Sequence, residues 1–224
     1  MGSHLTKSLV FMSKEKQNIL VLAPHPDDGE LGAGGFISKL ASSGNLITYV
    51  AFSPCEESLP DGFPKDTLIK ELKSATSILG VKESNLISFS FQVREFSYSR
   101  QRILDEMIKL RSNMQYDIVI APALNDVHQD HSTVASEAVR AFRNSSTILS
   151  YDLPWNNFAF DSKCFVELSK ENVEKKYKAL KCYKSQNTRT YMQKENIFSQ
   201  VKHKGMQIGC EFAESFEVVR WHLN

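Results

Sequence analysis

Ile19-Leu20-Val21-Leu22-Ala23 is an unbroken apolar run that stops at Pro24-His25-Pro26. Five consecutive apolar residues have no polar face to turn to water. A strand covered by helices on both sides reads this way. The two prolines forbid a regular helix directly after it. The next segment, Leu31–Ser43, reads as a helix with glycines at 32, 34 and 35, and Gly44 is a plausible stop.

The same alternation repeats along the chain. Strands are expected at Leu46–Phe52, Leu86–Phe91, Asp117–Ala123 and Thr147–Tyr151. The apolar sets Leu68/Leu72/Ala75/Leu79, Ile103/Leu104/Met107/Ile108/Met114 and Val134/Ala135/Ala138/Val139/Phe142 predict amphipathic helices between or after them. Strands alternating with helices predict an α/β fold: a Rossmann-like, mainly parallel sheet with helices on both faces, in a single domain. The tail is less regular. Cys164–Leu168 and Phe216–Trp221 read as strands and Lys170–Lys184 as a helix. The expected layout is an N-terminal extension over 1–17 and one α/β domain over 18–224. Met1-Gly2-Ser3-His4 reads as partly an expression scar.

Charge and cysteines narrow the function classes. Lys plus Arg number 27 and Asp plus Glu 26 among 224 residues, so no global basic field exists to hold nucleic acid. The six lysines of 170–184 include Glu171–Lys175 and Glu174–Lys178 at helical pair spacing, which reads as a solvated face. Cysteines 55, 164, 182 and 210 form no CxxC pair and read as free thiols of a reducing compartment. No apolar stretch is long enough to span a bilayer, and residues 1–17 lack a signal-peptide core. The expected location is cytoplasmic.

Two segments at expected strand ends carry chemistry. The first holds His25, Asp27, Asp28 and Glu30, and the second is Asn125-Asp126-Val127-His128-Gln129-Asp130-His131. In open α/β sheets the ligand crevice lies outside the carboxyl ends of the strands. Imidazole with carboxylate suits zinc, and a catalytic zinc keeps three protein ligands and an open position. His25 and Asp28 with a histidine of the second segment would supply them. In an extended loop the side chains of Asp27 and Asp28 point apart, so one can hold metal while the other takes a proton from water. The plainer alternatives are helix capping by Asp27 or Asp28 and by Asp130 or Ser132, and magnesium on paired aspartates. Gly32, Gly34 and Gly35 do not have dinucleotide-fingerprint spacing and read as close helix–sheet packing.

Pro24-His25-Pro26-Asp27-Asp28-Gly29-Glu30-Leu31-Gly32, with Gly34-Gly35, resembles the first signature of the LmbE-like or PIG-L superfamily of zinc-dependent N-deacetylases. Asp126-Val127-His128-Gln129-Asp130-His131 resembles its second. Weaker echoes are Glu71…Ala75…Leu79-Gly80-Val81, Tyr183-Lys184-Ser185-Gln186 and Gly205…Gly209…Ala213-Glu214…Phe216, so the resemblance runs over about residues 18–220. It implies one zinc per chain, or another divalent ion in its place, held by His25, Asp28 and His131. It also implies Asp27 as general base, and His128 as general acid or oxyanion partner with Asp130 orienting it. Glu30 would be a supporting residue. Gln129 stands where the family often has proline, which alters the loop backbone between functional residues.

The implied activity is removal of an N-acetyl group from an amino sugar or sugar conjugate. The competing readings are an amidase of the same family acting on a larger amide or thiol conjugate, and a sugar- or nucleotide-binding module without catalysis. The expected partner is a small N-acetyl sugar, nucleotide sugar or glycoconjugate. Trp155, Phe158, Phe160 and Tyr191 are candidates for stacking on a sugar ring. Arg94 and Asn156-Asn157 are candidates for binding hydroxyls or phosphate.

Overall fold

The protein is described by a computed structural model covering residues 16–222. Residues 1–15 and 223–224, and with them the scar reading of residues 1–4, lie outside the described residues. Five strands run parallel: β1 (Asn18–Ala23), β2 (Leu46–Ala51), β3 (Leu86–Ser88), β4 (Ile118–Pro122) and β5 (Thr147–Tyr151). β7 (Ala213–Arg220) is antiparallel to β5, and β6 (Cys164–Glu167) is antiparallel to β7. The strand order is β3-β2-β1-β4-β5-β7-β6.

The helices are α1 (Asp28–Ser42), α2 (Thr67–Leu79), α3 (Arg100–Asn113), α4 (Gln129–Phe142), α5 (Lys170–Leu180) and α6 (Lys194–Ile208). Two cores result. Ile19, Val21 and Ala23 of β1 face the core built with α1, α2 and α5, while Leu20 and Leu22 face the core built with α3 and α4. Both faces of β1 are therefore covered, which is why its sequence does not alternate.

Several boundaries differ from the sequence reading. The third strand keeps three residues of the six expected. Beyond it, Phe89 and Phe91 donate their N–H groups to Ala51 and Phe52 at 2.8 and 3.0 Å, so the chain stays beside β2 without a regular ladder. α5 stops at Leu180, before the expected Lys184. α6, absent from the sequence reading, buries only Ile197, Val201 and Gly205 and ends at a left-handed Gly209. No helix among the described residues is long and apolar enough to cross a membrane.

Close approach requires glycine at three positions of α1, one of them Gly29, where a Cβ would overlap the Tyr49 ring and hydroxyl. A Cβ on Gly32 would overlap the Tyr151 ring, and one on Gly35 would overlap Leu168. Beside Gly35 lies a buried ion pair. Lys176 Nζ donates to Glu214 Oε1 and to the Leu31 carbonyl, both at 2.7 Å. Glu214 in turn accepts the Gly35 and Phe36 N–H groups at 3.0 and 2.7 Å. The middle of α1 is thus gripped by α5 and β7 through backbone polar groups.

Candidate active site

β1 and β4 are neighbours, yet the chain leaves β1 toward β2 on the other side. Their boundary is a topological switch point, where an open sheet leaves a crevice at its carboxyl edge. His25, Asp27 and Asp28 follow β1, and His128, Asp130 and His131 follow β4. All but the fully buried Asp130 line one cavity of about 250 Å3 there, together with Arg94, Trp155, Arg189 and Tyr191.

α1 begins three residues earlier than expected, so Asp28 and Glu30 sit in its first turn. Asp27 is the N-cap residue at φ 87°, in the left-handed region, and its side chain makes no capping hydrogen bond. The extended Asp27-Asp28 loop of the sequence reading is not formed. The two carboxylates diverge because one belongs to a left-handed cap and the other to a helix. In α4 the N-cap is His128, whose Nδ1 accepts the Asp130 N–H at 3.2 Å. Neither Asp27, Asp130 nor Ser132 takes the side-chain capping role weighed for it.

Three donor atoms form a nearly equilateral triangle. His25 Nδ1 is 3.1 Å from His131 Nε2, and Asp28 Oδ2 is 3.2 Å from each. The three imidazoles of His25, His128 and His131 also bring ring nitrogens within 4.8 Å of one another. Each histidine of the triangle rests its other nitrogen on a buried carboxylate. His25 Nε2 meets Asp130 Oδ2 at 2.9 Å, and His131 Nδ1 meets Asp126 Oδ2 at 2.8 Å. Carboxylate–histidine pairs of this kind orient metal-ligating imidazoles and raise their basicity.

Asp130 is therefore placed differently from the sequence reading. Its carboxylate reaches His25, not the His128 ring, and it also accepts the N–H groups of Arg94 and Phe96 at 2.6 and 3.2 Å. The start of α4 turns that side chain inward, and what His128 receives from Asp130 is a backbone N–H. Asp126 is a residue the sequence reading quoted without a role. It accepts the His128 N–H at 2.8 Å as well as holding His131.

The electrostatics are those of a cation site. Burial opposes charge on His25 and His131, but contacts with Asp130 and Asp28 raise the pKa of His25, and Asp28 and Asp126 lift that of His131 to about 10. Asp28 is buried, which would raise its pKa, yet the two histidines hold it well below the usual carboxylate range. Burial, with Asp28 and Glu30 nearby, pushes Asp27 well above that range. Burial and the neighbouring His131 and His25 lower the pKa of His128, opposite to the direction expected from an adjacent Asp130.

Glu30 is fully buried and lies between two phenols. Tyr49 and Tyr183 donate to its Oε2 and Oε1 at 2.5 and 2.8 Å. Its burial outweighs those bonds and pushes its pKa up to about 7. Asp27, Cys55 and Arg94 are the non-glycine residues at positive φ among the described residues, and all three line this cavity. Backbone strain of this kind persists only where the surrounding structure imposes it, and it gathers at functional sites.

Comparison with known proteins fits this geometry. The family model for PIG-L, described as GlcNAc-PI de-N-acetylase, matches residues 20–142, more than half of the chain. The chain belongs to the PIG-L family. Among its relatives, a protein of Escherichia coli K12 named as uncharacterized deacetylase YaiS is 29% identical, over 83% of this chain and 100% of its own. The diacetylchitobiose deacetylase of Thermococcus kodakarensis is 27% identical, over 82% of this chain and 77% of its own. In structure, the N,N'-diacetylchitobiose deacetylase of Pyrococcus horikoshii superposes with a TM-score of 0.75 at 22% identity, covering 91% of this chain and 84% of the other. The PIG-L match ends with α4, so it contains every residue of the two signature segments.

Proposed function

We propose that the chain is a zinc-dependent hydrolase that removes the N-acetyl group from an acetylated amino sugar or sugar conjugate. The triangle of His25 Nδ1, Asp28 Oδ2 and His131 Nε2 carries this reading. Tetrahedral zinc with bonds of about 2.0–2.1 Å spaces its ligands about 3.3 Å apart, and the three edges are 3.1–3.2 Å. Another divalent ion could take the same place. His128 is kept out of the ligand set, because a fourth protein ligand would close the position that catalysis needs.

His25, Asp28 and His131 would hold the zinc, which would supply a water acidified to near neutrality and a Lewis acid for the amide carbonyl. Asp27, beside the donor triangle but outside it, takes the proton of the attacking water. Nδ1 of His128 accepts the Asp130 N–H, so the ring proton of the neutral form sits on Nε2. From there His128 donates to the acetyl oxygen as negative charge builds on it. Asp27 then returns its proton to the leaving nitrogen, so amide plus water becomes acetate plus amine.

The names of the relatives support an acetylated amino sugar as substrate. A cavity of about 250 Å3 also favours one over a larger amide or thiol conjugate, since pockets for drug-sized ligands span roughly 300–1,000 Å3. A binding module without catalysis would have no need of an Asp27 held beside a filled ligand set. The same reading takes residues 18–224 as one catalytic domain, with 1–17 as an extension, acting in the cytoplasm. The test is acetate release from N-acetylglucosamine, diacetylchitobiose and their phosphorylated or glycosylated forms, using protein stripped and then reloaded with zinc. One zinc per chain and acetate from a member of the panel are expected. A zinc-loaded protein that releases acetate from none of them overturns the proposal.

A further inference from the structure

Glu71 is the one acid of α2, it is buried, and nothing in the proposed reaction uses it. A carboxylate turned into the interior is costly unless hydrogen bonds replace its water. Here they come from a single residue. Ser185 donates its N–H to Glu71 Oε1 at 3.0 Å and its hydroxyl to Oε2 at 2.7 Å. Gln186 Nε2 donates in turn to Ser185 Oγ at 3.2 Å. All three residues are buried, and Gln186 lines the same cavity as His25, Asp28 and His131.

The carboxylate at the end of this relay sets the direction of every proton in it. As an anion Glu71 only accepts, so the Ser185 hydroxyl directs its one proton to it. The serine oxygen then faces Gln186 with lone pairs alone, and only the NH2 side of the amide can meet it. The carbonyl side, Oε1, is thereby turned away from Ser185. It has no hydrogen-bond partner among the described residues, yet it is not sealed in the interior as Gln17 Oε1 and Asn157 Oδ1 are. In a residue only 6% exposed, the opening left to it is the cavity that Gln186 lines. The backbone of the turn is fixed separately. The Gln186 N–H meets the Tyr183 carbonyl and the Gln186 carbonyl meets the Arg189 N–H, both at 3.0 Å. What the side-chain relay adds is the orientation of the amide.

We infer that Gln186 Oε1 accepts a hydrogen bond from one hydroxyl of the substrate, and that Glu71, acting through Ser185, is a positioning residue that keeps this acceptor turned to the cavity. A buried site built to take a donor rejects an analogue that lacks one, because the acceptor is left without water and without a partner. An acceptor locked in one orientation also tells a hydroxyl from a group of the same size that cannot donate. A freely turning amide would offer either its carbonyl or its NH2 and lose that distinction. This inference rests on the deacetylase reading for the identity of the sugar, and it names the side chain that selects among the sugar's hydroxyls.

Binding of deacetylated amines tests it without turnover. The zinc-loaded full chain is titrated calorimetrically with glucosamine and with its 3-, 4- and 6-deoxyfluoro derivatives, in which a fluorine that cannot donate replaces each hydroxyl in turn. One derivative is expected to bind about ten-fold more weakly than glucosamine, the scale of a neutral hydrogen bond. Gln186→Leu should bind glucosamine and that derivative equally. Glu71→Gln keeps the shape of the side chain and changes only the polarity of the relay. Its amide can accept the Ser185 N–H and donate to Ser185 Oγ, which frees the serine proton for Gln186 Oε1 and turns the Gln186 NH2 toward the cavity. The fluorine penalty should then vanish while zinc stays bound. Equal affinity across the panel in the wild type, or a penalty that survives either substitution, overturns the proposal. So does an equal loss on all four ligands in Glu71→Gln, which would make Glu71 a support of the turn alone. A wild type that binds none of the four overturns the proposal together with the sugar reading. Failure of the deacetylase reading alone looks different: the penalty is present and is removed by both variants, while no N-acetyl sugar releases acetate.

Discussion

Tyr183 Oη accepts the backbone N–H of Asp27 at 3.1 Å across 156 positions of sequence. The same hydroxyl donates to Glu30 Oε1 at 2.8 Å. The cap at the start of α1, strained at φ 87°, is therefore held from outside its own segment. Tyr183→Phe should retain zinc, because no ligand is touched, and should lower kcat by about 10- to 100-fold through misplacement of Asp27. It should also cost about 1–3 kcal/mol in denaturant unfolding, since a buried donor and acceptor lose their partner. A variant with normal kcat would show that the Asp27 backbone does not depend on this bond.

Asp27 is not in the donor triangle, so Asp27→Asn should bind zinc at full stoichiometry by elemental analysis. Loss of the general base should reduce kcat on the order of 100- to 10,000-fold. Asp28→Asn is the control expected to lose metal. If Asp27→Asn is the variant that loses it, the two roles are exchanged.

His128→Gln should keep zinc and lose roughly 100- to 1,000-fold in kcat, as when one oxyanion donor is removed. The pH profile separates donor from acid. A catalytic imidazolium would give activity that falls as pH rises through the His128 pKa, which is held below its ordinary value. A neutral ring with its proton on Nε2 stays competent above that pH, so no falling limb should disappear in His128→Gln. Loss of such a limb would assign His128 the acid role.

Glu30 should make the metal-free protein sensitive to pH. Its folded pKa, about 7, is raised above the unfolded value near 4.5. The folded state then holds the proton more tightly, so this group's contribution to stability is fully present below about pH 4.5 and is lost as pH rises through about 7. Glu30→Gln cannot titrate. The stability difference, variant minus wild type, should grow between pH 4.5 and 7 by about 3 kcal/mol at most, as read by urea unfolding with a chelator present. A constant difference would show that Glu30 titrates normally.

Lys176 and Glu214 should be coupled. Removing one partner of a buried pair leaves an uncompensated charge, so Glu214→Gln or Lys176→Met alone should cost about 3–5 kcal/mol. The double variant should be less destabilised than the sum of the two, by equilibrium unfolding. Additive losses would mean that each residue acts only through its bonds to α1.

The parts of this architecture visible in the sequence are those set by local pattern. Ile19–Ala23 reads as a strand because burial on both faces removes every polar residue from the run, and Thr147–Tyr151 because its two polar residues, Thr147 and Ser150, are small hydroxyls that bond to backbone carbonyls. α6 was missed because it buries three residues in fifteen, too few for an apolar stripe, with Gly209 as its one clear stop signal. At the site, the two signatures name residue types but not their partners. That Asp130 would hold His25 depends on two segments 105 residues apart meeting at the β1–β4 boundary. Arg94 was named only as one possible binder among several, and its left-handed backbone has no signature in a non-glycine residue. Tyr183 and Glu71 stood out only as weak echoes. Glu71 accepts the Ser185 N–H and hydroxyl at 3.0 and 2.7 Å, tying down the turn after Tyr183.

The gathering of positive-φ residues around one cavity also has a bearing on how such a protein can be altered. Glycine or asparagine at position 27 or 94 would relax the backbone at little steric cost. A selection for heat resistance alone would therefore drift toward them and erase the proposed base at 27 and the arginine that lines the cavity at 94. Selection for catalysis pulls the same two positions the other way. In a directed-evolution experiment, thermal tolerance and catalysis would trade against each other at Asp27 and Arg94, and stabilising changes compatible with activity would have to come from elsewhere in the chain.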